Sequence, residues 1–199
     1  MSVSSVLRGA AVSLALVALL APTAAHAGKS VHRDAVGDVV AMTFDFESGS
    51  EEVTPAPQQT RGDITRSVVQ HRAKRVTFKV SMRALPRKFA MSGLFTRVKT
   101  DKRSYSVDVV RMPGFGKDAI LSTRRGKVVE CDGLTHERND KKRFIAFSVP
   151  RECLGNPRWV RLGAGVFHMS NGEKTFLDES HRDGMKNSNS IAVGPKVRR

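Results

Sequence analysis

Apolar and polar residues alternate one for one through most of this chain, a period of two that is the mark of half-buried strands. In residues 75–85, RVTFKVSMRAL, Val76, Phe78, Val80 and Met82 share one face, and Thr77, Lys79, Ser81 and Arg83 the other. In SYSVDVVRM, Tyr105, Val107 and Val109 alternate with Ser106 and Asp108. In RWVRLGAGVFHM, Val160, Leu162, Ala164 and Val166 share a face. In VVAMTFDF, the pattern assigns Val40, Met42, Phe44 and Phe46 to one face. DITRSVVQH, GLFTRVKT, GKVVEC and RFIAFSV complete the set. No segment sustains an apolar period of 3.6. Turn-forming strings such as KTDKRS, TRRGK, HERNDKK and CLGNP separate the runs. The expectation is an all-β chain: an antiparallel β-sandwich, jelly-roll or immunoglobulin-like, of eight or nine strands.

The first 27 residues stand apart. One cation, Arg8, precedes an apolar run from Ala10 to Ala21, then Pro22 and the small-residue site Ala25-His26-Ala27. This is the layout of a cleaved secretory signal peptide. The run is shorter than the roughly 20 residues a membrane-spanning helix needs. The expected organisation is a signal peptide over 1–27, a short lead over 28–33, one sandwich domain over 34–195 and a basic tail over 196–199. Residues 47–62 are expected to form a mobile loop. The mature chain is expected outside the cell, with no membrane span.

Export places Cys131 and Cys153, the only cysteines, in an oxidising compartment where paired thiols become disulfides. Closing the short loop between them stabilises the fold by about 3 kcal/mol in the chain-entropy model. GKVVEC and RFIAFSVP read as neighbouring strands pinned near their ends by this bond. Trp159, the only tryptophan, follows the turn Gly155-Asn156-Pro157 and reads as a packing element beside the disulfide. The functional alternative is an exposed platform for a sugar ring.

Lys and Arg outnumber Asp and Glu 34 to 19, a formal charge of +15. Such a balance suits anionic polymers and surfaces, and it also keeps an exported protein soluble. Candidate contacts are Lys74 and Arg75, Arg124 and Arg125, and Lys141, Lys142 and Arg143. Export removes the genome as a partner, and the aromatics fall mostly on apolar strand faces, leaving few to stack on bases. Anionic polymers and glycans remain.

Catalytic signatures are sparse. There is no G-x-S-x-G elbow and no H-E-x-x-H, so no catalytic residue is assigned. A hydrolase would need a non-local site, for example His168 with Asp178 or Asp183. HRD at 181–183 lacks the other kinase motifs. RGD at 61–63 runs straight into a strand, so Asp63 reads as the end of a loop. The acidic residues are more telling. RDAVGDV carries Asp34 and Asp38 around Gly37, and FLDESHRDG carries Asp178, Glu179 and Asp183 around a turn. Loop carboxylates at such spacing suit calcium, which tolerates irregular oxygen sites. They equally suit turns paired to arginines such as Arg33 and Arg182. A calcium-stabilised scaffold is therefore one alternative to a binding module, and a hydrolase the other.

The order DAVGDV, GDIT, VVQHRAKRVTFKVSMRAL, the first cysteine and VPRECLGNPRWVRLG resembles a group of secreted proteins of high-GC Gram-positive bacteria over most of residues 34–183. Their layout is similar to that of extracellular carbohydrate-binding β-sandwiches. The resemblance implies a fold and a location and brings no activity with it.

Overall fold

The alternating runs form strands that pair into two sheets. The computed structural model describes residues 28–45, 47–86, 91–112, 119–170, 174–183 and 191–199. The expected signal peptide and Phe46 lie outside them. The described residues hold thirteen strands: β1 (Gly28–Arg33), β2 (Val40–Phe44), β3 (Glu51–Pro55), β4 (Ile64–His71), β5 (Arg75–Met82), β6 (Ser92–Thr100), β7 (Ser104–Arg111), β8 (Ala119–Thr123), β9 (Thr135–Asn139), β10 (Phe144–Pro150), β11 (Trp159–Ser170), β12 (Lys174–Glu179) and β13 (Val197–Arg198). One sheet has the order β1-β4-β5-β10-β9, the other β3-β2-β12-β11-β6-β7-β8, with β13 also paired to β11. Every strand pair is antiparallel. Among the described residues, no helix is long and apolar enough to cross a membrane.

The core lies between the sheets. Phe78 on β5 and Phe147 on β10 are cross-strand partners with ring centroids 5.6 Å apart. Val76, Val80 and Val149 extend this layer, and Leu94, Val98, Val107, Leu121, Val160, Leu162 and Val166 of the other sheet close it, all essentially without solvent contact. Burying each such side chain is worth about 1.5–3 kcal/mol, and the runs of β5, β6, β10 and β11 supply most of them.

The structure departs from the expected element set in seven places, two of them β8 and β12, which fall on stretches the alternation leaves unassigned. GKVVEC is not a strand: Val128 makes one isolated bridge to Ser122, and Val129 donates to Leu121 O, so the segment lies along β8. The strand beside β10 is β9, THERN, which the sequence pattern assigns to a polar loop. The expected lead, 28–33, is β1 and pairs with β4. The expected tail contains β13, whose Val197 is buried. The expected loop 47–62 contains β3. In β2 the face is also inverted: Val39 and Ala41 are buried and Phe44 is exposed. VVAMTF is apolar on both faces, so alternation alone cannot choose between them.

The chain changes sheet repeatedly. It crosses between β1 and β2, returns between β3 and β4, crosses again between β5 and β6, returns between β8 and β9, and crosses a last time between β10 and β11. Cys131 precedes β9, and Cys153 sits in the short 3-10 turn Glu152–Leu154 after β10. Their disulfide, with 5.6 Å between the Cα atoms, ties two of these crossovers together. The final segment, 191–196, straps the outer side of β11. Gly194 N–H donates to Leu162 O, and a Cβ at Gly163 would overlap the carbonyl of Ala192, so only glycine admits the strap.

Candidate functional site

Two other crossovers bring carboxylates together. The β1–β2 connection carries Asp34 and Asp38, the β3–β4 connection ends at Asp63, and β12 contributes Asp178. Gly37 adopts φ +81°, a left-handed conformation that turns its N–H onto Asp63 Oδ2 at 3.0 Å and swings Asp38 back toward the sandwich. One oxygen each from Asp38, Asp63 and Asp178 lie within 4.8 Å of one another. Asp178 projects inward from β12 opposite Val166. Its Oδ2 accepts the Ile64 N–H at 2.6 Å and its Oδ1 the Glu179 N–H at 2.7 Å.

The cluster is largely buried and negative. Asp63 has no exposed surface, and the Asp34 side chain is only 3% exposed. Arg83 faces Asp63 Oδ2 at 3.0 Å, and His32 approaches Asp34 at 3.6 Å. Asp63 Oδ1 and Asp34 Oδ2 are buried without a hydrogen-bond partner. Burial lifts the Asp34 carboxyl to about 8, and the charges of Asp178, Asp38 and Asp183 push the same way. Burial likewise lifts Asp178 to about 7, against the opposing pull of the Ile64 N–H, with Asp38 and Asp63 adding to the rise. Beside the cluster, His181 packs against His32 with the ring planes tilted by 37° and centroids 4.2 Å apart, and burial pulls it down to about 4.

Sequence reasoning thus names two of the three carboxylates whose oxygens converge, Asp38 and Asp178, and Asp34 beside them. Asp183 is exposed at the edge and acts on Asp34 only as a nearby charge. Asp63 was hidden in the RGD string. The usable signal was its place, one residue before a strand and directly after a glycine. Buried here, Asp63 cannot serve a receptor. Arg182 lies 3.4 Å from Glu179, and the cation on the cluster is Arg83, not Arg33.

The residues named for a hydrolase, His168 and Asp178, are both buried on neighbouring strands. His168 is buried across from Phe176, its cross-strand partner on β12, with the rings 6.4 Å apart, and Asp178 spends both oxygens on backbone N–H groups.

The expected basic residues are dispersed. Lys74 and Arg75 sit at one end of the five-stranded sheet, where Arg75 is spent on Ser148 and the carbonyl of Gly133. Lys141, Lys142 and Arg143 sit at the other end, in the β9–β10 hairpin, where Arg143 donates to Arg83 O. Arg124 and Arg125 occupy the turn after β8 on the other sheet. There Arg124 belongs to a cluster missed in the sequence. Arg97 and Lys99 point outward from β6, and Arg161, directly across from Lys99 on β11, points the same way. Arg97 chiefly, with burial, Arg161 and Arg124 adding, lowers the Lys99 ammonium below its ordinary value. A shallow groove of about 250 Å³ runs beside them, lined by Arg97, Arg124, Ser104, Ser106 and Ile191 among others. Trp159 is not in the core: it is half-buried on this outer side, with the Lys196 ammonium 4.8 Å from its ring centroid.

Fold and sites together define a disulfide-stapled antiparallel two-sheet protein with a buried carboxylate cluster at one end and a cationic outer face. No family model, curated protein or solved structure matches the chain.

Proposed function

We propose that the mature chain is an exported, non-catalytic binding module that contacts an anionic cell-surface polymer or glycan through the outer face of its larger sheet. The observation that carries this reading is the convergence of Arg97, Lys99, Arg124 and Arg161 on one face. Among the described residues, none of these four forms an ion pair with a carboxylate. Like charges held this close repel, and a polyanion laid along them relieves the repulsion while releasing its own counterions. The hydroxyl of Ser104, which also lines the groove, adds a neutral donor for sulfate, phosphate or sugar oxygens. Arg161 is steered by its donation to Gly194 O and Val193 O, so the terminal strap helps to build the face.

The test is retention of the mature chain on immobilised polyphosphate and on a sulfated glycan at two salt concentrations. Binding should be firm near 50 mM salt and mostly lost by about 500 mM, where screening shortens to a few ångströms. Replacing Arg97, Lys99 and Arg124 together by Ala should lower the eluting salt markedly. Replacing Lys141 and Lys142, at the far hairpin, should change it little. Equal losses from both sets, or retention indifferent to salt, would remove this face from the account.

A further inference from the structure

We propose that Asp38, Asp63 and Asp178, with Asp34 beside them, form a calcium site that clamps the β1–β2 and β3–β4 crossovers. Three observations point there, independently of what the cationic face binds. Oxygens of Asp38, Asp63 and Asp178 already lie within 4.8 Å of one another, and two oxygens sharing one calcium at about 2.4 Å sit up to about 4.8 Å apart. Asp63, wholly buried, and Asp34, nearly so, each keep one oxygen with no hydrogen-bond partner. A buried acceptor left unsatisfied costs about 1–3 kcal/mol and more when charged, so such oxygens ask for a partner. Finally, the donors are arranged as outer support for ligands. Gly37 N–H and Arg83 hold Asp63 Oδ2, leaving Oδ1 as the oxygen without a protein partner. Ile64 N–H and Glu179 N–H fix Asp178.

The ligand chemistry selects the ion. All four groups are carboxylates, hard oxygen donors, with neither a thiolate nor an imidazole among them, which disfavours zinc and copper. They come from three separate chain segments in an irregular arrangement, which calcium accepts and magnesium, with its strict octahedron and bonds of about 2.1 Å, does not. Asp38, partly open to solvent, marks the side by which the ion and its remaining waters enter. The role is structural. The ion would bridge the first sheet, through Asp63 at the head of β4, to the second, through Asp178 on β12.

The experiment is thermal unfolding and calorimetric titration of the metal-stripped mature chain with calcium chloride, with magnesium chloride in parallel. One calcium per chain should bind. The midpoint should rise by about 5 °C at a hundredfold excess over Kd, relative to EDTA. Asp38→Asn, on the solvent side and therefore tolerant of folding, should lose most of the shift. Asp63→Asn should lose all of it, and circular dichroism in EDTA checks that its sheet is intact. Lys141→Ala should keep the full shift. No heat and no midpoint change with either ion would overturn the site, leaving the cluster held by shared protons. An equal response to magnesium would overturn the assignment to calcium.

Discussion

At the scale of residues, two buried polar groups carry opposite lessons. His71 is satisfied on both sides. Arg151 Nε–H donates to its Nε2 at 3.1 Å, which fixes the proton on Nδ1, and Nδ1–H donates to Val197 O at 3.1 Å. Burial pulls this imidazole below its ordinary 6.5 despite the opposing hydrogen bond to Val197, and Arg151 adds to the fall. The unfolded chain therefore takes up a proton before the folded one, and the stability His71 contributes is present above pH 6.5 and lost as pH falls below it. In saturating calcium, His71→Gln should flatten the slope of the melting midpoint between pH 6.5 and 5. A slope unchanged by the substitution would mean that His71 does not titrate on unfolding. Asp34 and Asp178 run the other way. Raised to about 8 and about 7 in the fold, they favour the folded state below the unfolded carboxylate value, and that contribution is lost as pH climbs through 7 to 8. In EDTA the midpoint should thus fall between pH 6 and 8, and a flat profile there would contradict their burial. In the core, Phe78→Ala should cost about 3–5 kcal/mol in urea unfolding, because its ring meets Phe147 with no solvent contact. A loss below about 1 kcal/mol would place the inter-sheet contact elsewhere.

At the scale of elements, what could be read in advance follows burial. Strands β4, β5, β6, β7, β10 and β11 lie inside the sheets or against the core, and their alternation announced them. Apart from β12, which lies between β2 and β11, the missed strands are edges or short pieces. β9 is THERN, polar throughout, and β3 is EEVTP, exposed throughout and ended by Pro55. Charge and proline at an edge discourage another chain from pairing there, and the same residues erase the alternation by which a strand is recognised. β1 shows its only valine, Val31, to solvent, so its pattern was inverted as well. The site was legible to the same degree. Acids grouped along the sequence marked Asp34, Asp38 and Asp178, whereas Asp63 and the row Arg97, Lys99, Arg161 come together only through strand pairing. The terminal strap gives a test at this scale. Gly163→Val should unseat residues 191–196 and free Arg161 from the strap carbonyls. Limited proteolysis should then cut the C-terminal segment in the variant and spare the wild type. Equal resistance in both would show that the strap does not depend on a bare backbone at Gly163.

At the scale of the whole molecule, two fastenings act on the same kind of weak point. A sandwich whose chain changes sheet several times must hold its crossovers, because each is a connection outside the ladders. The disulfide holds the pair flanking β9 and β10, and the carboxylate cluster sits on the pair flanking β2 and β3. They lie at opposite ends. Asp63 precedes the first residue of β4, whereas His71, at the last, meets Arg151 beside the disulfide turn. Eight residues of strand at about 3.3 Å each put roughly 25 Å between them, far enough for their energies to add. The most direct test is urea unfolding of four samples, oxidised or reduced, each with calcium or with EDTA. Reduction should cost about 3 kcal/mol and chelation a separate amount, with the combined loss equal to their sum within about 0.5 kcal/mol. A midpoint unmoved by chelation in both redox states, or unmoved by reduction, would contradict the account of a sandwich fastened at both ends.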